Sequence, residues 1–188
     1  MNRYGLALLG AIIAVIVIVV LIAVRLMTPS ADIPVEQVDV TDYVDTSATV
    51  RYTVQGNIVG QDEFNAVRIS VTKGRRTVEQ LSGYTGSVVN RQTYPNNQAA
   101  FEAFLYALDK AGYTEEQVAR SDDERGMCPF GRRFIMEIEE EGDEVSRLWA
   151  TSCSRRDGSF GGDMSTVRKL FEAQITDYRD LTSGLGIR

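Results

Sequence analysis

The run GLALLGAIIAVIVIVVLIAV, from Gly5 to Val24, restricts this chain more than any other stretch. It carries no charge over about twenty residues, and a helix of that length, rising about 1.5 Å per residue, matches a hydrocarbon core of roughly 30 Å. A secretory signal has a shorter apolar core, roughly 7–15 residues, followed by a small-residue cleavage site. Here the run ends in Arg25, and Pro29-Ser30-Ala31 puts proline where a small residue is wanted. The expectation is an uncleaved transmembrane anchor over residues 5–27, with the lipid bilayer as its partner. No cysteine follows the run, which argues against lipoprotein processing there.

Flanking charge alone leaves the orientation open, because Arg3 lies at one end and Arg25 at the other. Beyond the anchor, Asp32, Glu36, Asp39, Asp42 and Asp45 precede the next cation, Arg51, and an anionic cytoplasmic leaflet would repel that stretch. We therefore expect a cytoplasmic head at 1–4 and everything after the anchor outside the cell. Residues 28–46, with two prolines and five acids, read as an extended acidic stalk. A globular domain over 47–180 and a tail at 181–188 complete the expected organisation.

The leader MNRYG before an apolar helix resembles a type IV prepilin, which implies cleavage after Gly5 and a pilin-like subunit. Those proteins usually carry glutamate at the fifth position after the cut, where this chain has Gly10.

The rest of the chain has room for one globular domain. Net charge is -6, with 20 basic and 26 acidic residues, so the basic excess of a nucleic-acid binder is missing. Val50, Tyr52 and Val54 alternate with polar residues, as do Val67, Ile69 and Val71, and both read as half-buried strands. Thr77 to Leu81 and Ser87 to Tyr94 follow, punctuated by Lys73-Gly74-Arg75 and GYTG, and together these make an antiparallel meander. After Pro95-Asn96-Asn97 the period changes: Phe101, Phe104, Leu105 and Leu108 share one face of a helix that Gly112 ends. Thr114-Glu115-Glu116-Gln117 has capping-box spacing, so a short helical turn is expected there. Arg133 to Glu139 and Val145 to Ser152 flank EEEGDE and form a hairpin. Val167, Leu170, Phe171, Ile175 and Tyr178 then make the stripe of a final helix whose cap is Asp163 or Ser165. The expected fold class is α+β: an N-terminal transmembrane helix, then about six antiparallel strands in the order β-β-β-β-α-β-β-α, with two amphipathic helices packed on the sheet.

LWATSC, ending at Cys153, resembles the TLxTC strand motif of sortases, membrane-anchored cysteine transpeptidases. Their mechanism uses a histidine near the thiol, and this chain contains none, which decides against that activity and against Ser-His-Asp and Cys-His catalysis together. The hairpin supplies another role. With its turn near Gly142, antiparallel partners sum to about 284, so Cys153 faces residue 131, three positions from Cys128. Outside the cytoplasm, two cysteines at the mouth of one hairpin are expected to form a disulfide.

In the same register Leu148 faces Met136 and Ala150 faces Phe134, all four as core, while Trp149 pairs with Ile135 on the opposite face under partial loop cover. Arg125, Arg132, Arg133, Arg147, Arg155 and Arg156 lie around the bridge and could bind an anionic envelope polymer or headgroup. Glu137, Glu139, Glu140, Glu141, Asp143 and Glu144 share the segment, and cross-strand ion pairing competes with that role. RDGSFGGD lacks the lysine and spacing of a P-loop, SDDERG lacks the alternating oxygen ligands of a calcium loop, and two cysteines alone make no zinc site. No cofactor, metal ligand or catalytic residue is nominated. The expected function is a membrane-anchored binding module or subunit of a cell-envelope assembly. The alternative is an envelope hydrolase using carboxylates or a Ser-Lys pair, for which Lys73 and Lys169 are the domain lysines outside the first helix.

Overall fold

The computed structural model of the 188-residue chain describes residue 13, residues 15–18 and residues 38–186. Two compact units divide it, the first ending at Glu36. In the first, Ile13 and residues 15–18 are helical, with their large apolar side chains exposed. The rest of the expected anchor, the head with its prepilin-like leader, and the stalk up to residue 37 lie outside the described residues. Among the described residues no helix is long and apolar enough to cross a membrane.

The second unit is α+β. Strands β1 (Thr49–Gln55), β2 (Asn65–Val71), β3 (Arg75–Ser82) and β4 (Ser87–Pro95) form the expected meander, helix α1 spans Gln98–Lys110, and β5 (Arg133–Glu140) with β6 (Asp143–Thr151) forms the hairpin. One antiparallel sheet results, in the order β4-β3-β2-β1-β5-β6. Strand β5 pairs with the edge of β1 that the meander leaves open, so β1 is central, with Val50, Tyr52 and Val54 beside Ile138, Met136 and Phe134. These residues, with Val67, Ile69 and Val71 of β2, make one apolar face on which the helices lie.

Helix α1 begins where the Asn97 side chain accepts the Ala100 amide at 2.9 Å, and its stripe of Phe101, Phe104, Leu105 and Leu108 is buried. It ends at Gly112, whose φ of 70° lets the Tyr113 amide close back on the Leu108 carbonyl. The turn expected at Thr114–Gln117 is absent. Thr114 ends the turn that follows the helix, and beyond it the chain is extended: Glu116 pairs with Phe160, and the Gln117 amide donates to the Ser159 carbonyl at 2.8 Å. A capping box satisfies only local amides, whereas the glycine-rich loop satisfies them on a neighbouring segment. A Cβ on Gly162 would stand 2.3 Å from the Gly112 carbonyl oxygen, so only glycine permits that approach.

Both outer limits of the domain move outward from those expected. The stalk does not run free to residue 46: Val40–Tyr43 is a 3-10 helix capped by Asp39, and Val40 is fully buried in the core. The tail does not begin at 181, since Leu181 and Leu185 pack on the core and Thr182 is buried. Nor is the final helix continuous. Helix α2 (Met164–Glu172) stops, and α3 (Tyr178–Leu181) restarts after Asp177 in the left-handed region at φ 61°. Ile175-Thr176 are poor helix formers, and the break frees the Thr176 carbonyl to accept the Tyr94 hydroxyl at 3.1 Å. An apolar period can persist through such a break because Ile175 and Tyr178 still pack inward.

Candidate functional site

The two cysteines meet as the hairpin register requires. Strands β5 and β6 pair Arg133 with Thr151, Phe134 with Ala150, Ile135 with Trp149 and Met136 with Leu148. Cys128 and Cys153 form a disulfide with Cα atoms 5.7 Å apart. A Cβ on Gly131 would lie 2.4 Å from the Cys128 sulfur and 3.1 Å from that of Cys153, so the backbone opposite Cys153 is glycine because the bridge fills the space. The same junction fixes Arg132: its amide donates to the Ser152 hydroxyl at 2.8 Å, and its carbonyl accepts the Ser152 amide at 2.9 Å.

Trp149 is buried, and the loop beyond the bridge protects its strand edge: the Phe160 amide donates to the Trp149 carbonyl at 3.0 Å, and the Ser159 hydroxyl accepts the Trp149 amide at 3.2 Å.

The six arginines around the bridge do not converge. Arg125 is exposed and pairs with Asp123, holding that carboxyl down at about 2. Arg147 reaches Glu124 at 2.6 Å and its cross-strand partner Glu137 at 3.6 Å. Arg133 is buried, donating to the Gln55 side chain and the Met127 carbonyl with its guanidinium 5.9 Å from the Phe64 ring centre. Arg155 borders a shallow groove beside Gly161 and Asp163, and Arg156 is exposed. Arg132 lines a cleft on the helix-covered face.

There Arg132 meets residues that sequence spacing does not connect with it. A cleft of 340 Å³ opens between the end of the sheet and the carboxyl-terminal helices. Tyr52 and Val54 of β1 and Phe134 of β5 form its apolar side, and α2 contributes Arg168 and Glu172, one turn apart. Tyr178 and Arg179 of α3, with Thr182, close it. The Tyr52 ring is set by stacking on Phe171 at 5.4 Å and Phe134 at 6.3 Å. Its hydroxyl is buried and has no hydrogen-bond partner among the described residues. Burial raises the Tyr52 phenol well above its usual range, and the charges acting on it include Arg168, Glu172 and Arg132, all in the cleft. Tyr178 is pushed up to about 12, again chiefly by burial. Both phenols therefore remain protonated at neutral pH and can donate. The Arg168 Nε is likewise buried without a hydrogen bond, its ion pair with Glu172 being long at 3.8 Å, and the Arg132 guanidinium makes no ion pair among the described residues. Nothing in the local sequence marks Tyr52 apart from the other inward residues of β1. The only available signal was that a tyrosine stands where the strand otherwise places valine.

The opposite face of the sheet carries a patch of paired charges between buried apolar residues, Ala66 with Leu81 and Ile135 with Trp149. Glu79 receives Arg91 at 2.6 Å and Arg68 at 3.6 Å, and Arg51 pairs with Glu139. Here arginine and glutamate form a cross-strand ladder. The lysines raised for a Ser-Lys pair lie apart in the fold, Lys73 in the β2–β3 turn and Lys169 on α2. Among the described residues no group of three or more acidic, cysteine or histidine side chains is placed to hold a metal ion. Compared with family models and with curated proteins, the chain matches none.

Proposed function

We propose that the chain is a single-pass membrane protein, amino terminus in the cytoplasm, which displays a disulfide-stabilised α+β domain outside and acts there as a binding module or subunit of an envelope assembly. The observation that carries it is the Cys128–Cys153 bond, because such bonds persist in oxidising compartments and are rare where thiols are kept reduced. The uncharged run from Gly5 to Val24 supports the anchor, and Ile13, Val15, Ile16, Val17 and Ile18 expose apolar surface that hydrocarbon accepts and water does not. Binding is favoured over hydrolysis by the chemistry of the cleft, whose polar groups are mostly donors: Arg132, Arg168, Arg179, Tyr52 and Tyr178 against the single carboxylate of Glu172. Such a set recognises and orients an anion, whereas hydrolysis needs a base to activate water.

External protease added to intact cells should release the domain and leave the anchor behind. Protection of the whole chain until lysis would reverse the orientation, and quantitative recovery of both cysteines as free thiols from cells quenched in acid would remove the support for an oxidising compartment.

A further inference from the structure

Resting on the reading of this domain as a binding module, we infer that the cleft between β1, β5 and the two carboxyl-terminal helices binds a small amphiphilic anion, a carboxylate or phosphate head on a short apolar body, with Tyr52, Arg132 and Arg168 holding the head. Three independent features meet there. Tyr52 is 1 % exposed, and its hydroxyl has no partner among the described residues. A buried hydroxyl left unpaired carries an unfavourable desolvation term that a phenylalanine, with the same ring stacking on Phe171 and Phe134, would not incur. An acceptor in the cleft would remove that term. The second feature is charge: the Arg132 guanidinium has no carboxylate partner among the described residues, and Arg168 has a buried Nε that its long contact with Glu172 does not satisfy. Guanidinium groups match the planar carboxylate and the phosphate edge with paired N–H donors. Shape is the third. Val54 and the Phe134 ring line the side of the cleft, so the ligand that satisfies the donors also covers apolar wall.

The cleft is partly open to solvent, so its volume scales the part of a ligand that it encloses. At roughly the 30 Å³ that a molecule of liquid water occupies, 340 Å³ encloses about eleven non-hydrogen atoms. Octanoate and hexyl phosphate are of that size, whereas a two-chain phospholipid would leave most of its length outside. The groove on the opposite face gives no comparable case: the Nε atoms of Arg51 and Arg68 are buried there too without a hydrogen bond among the described residues, but Arg51, Arg68 and Arg91 already pair with glutamates and no apolar side chain lines the groove.

Titration calorimetry on the full chain in zwitterionic lipid nanodiscs, with octanoate and hexyl phosphate as probes and 1-octanol and inorganic phosphate as controls, tests this. At least one amphiphilic anion should bind about tenfold or more tighter than both controls, since head and body each contribute. Arg168→Gln and Arg132→Gln should each weaken that binding about ten- to a hundredfold, the worth of a charge-assisted hydrogen bond. Tyr52→Phe should weaken it about tenfold, and without probe its urea midpoint should stay at or above that of the parent. Equal affinity for octanol and the anions, or for inorganic phosphate and the amphiphiles, would overturn the proposal. So would an Arg168→Gln or Arg132→Gln variant that binds as the parent does, or a Tyr52→Phe variant that is less stable, since the hydroxyl would then have a structural partner. Membrane orientation does not enter this measurement, so its failure leaves the anchor reading standing, and inverted topology leaves the cleft chemistry standing.

Discussion

Replacing Cys153 by serine opens a cross-link that spans 25 positions of chain, and the loss can be worked from that separation. In the chain-entropy treatment, closing a loop of n residues removes about 2.1 + 1.5R ln n cal/mol/K from the unfolded ensemble, which for n near 25 is about 3.5 kcal/mol at 25 °C. With a urea m-value of about 2 kcal/mol/M for a domain of this size, the unfolding midpoint should fall by about 1.8 M. Trp149, the single tryptophan and buried on β6, reports the transition by fluorescence. Cys128→Ser and the double variant should fall equally, within about 0.5 kcal/mol, because each removes the same bond. The loss also reaches the cleft. Ser152 holds the Arg132 backbone next to Cys153 through its hydroxyl and its amide, so releasing the bridge should weaken anion binding in the variant that remains folded. Single variants that lose less than about 1 kcal/mol, or a double variant that loses the sum of the two, would refute the reasoning.

Phe104→Asp should leave no folded domain by circular dichroism, because Phe104 packs edge-on against Phe171 at 5.1 Å and a carboxylate there forfeits several kcal/mol of solvation; a parent-like melting curve would place that helix face elsewhere. Asp163→Ala should lower the urea midpoint by removing the cap that accepts the Ser165 and Thr166 amides. Since the Thr166 hydroxyl, together with those amides, holds the Asp163 carboxyl below its usual range, the parent's advantage should be present at neutral pH and disappear as pH falls through the folded value. At the alkaline end, burial raises Tyr52, Tyr113 and Tyr178, the last to about 12, so the folded state binds protons that the unfolded state releases near 10. From neutral pH upward stability should accordingly be level to about pH 10 and decline above it, with tyrosinate absorbance rising in step with unfolding.

Much of the fold was legible because strand and helix periods are local. Val50-Tyr52-Val54 and Val67-Ile69-Val71 announce which face is buried, Asn97 and Gly112 bracket α1, and the turn at Gly142 sets the β5–β6 register through the pairing of Ile138 with Ser146. The helical turn expected at Thr114 and the unbroken final helix failed for one reason. In both places a hydrogen-bond partner distant in sequence, the Ser159 carbonyl in one and the Tyr94 hydroxyl in the other, outweighed a local preference worth only tenths of a kcal/mol per residue.

By itself the sequence determined the α+β class, the core face of β1, β2, β5 and β6, the disulfide and the absence of imidazole chemistry, all properties of residue type and short spacing. Only the tertiary structure decided that β5 would take the open edge of β1 and that the chain would break at Asp177 to fold α3 back. Those two choices bring Tyr52, Arg132 and Arg168 to one cleft, although long stretches of chain separate them. A period of two tells a strand which side faces inward but not which strand lies beside it, and the neighbour is chosen by the packing of the whole core.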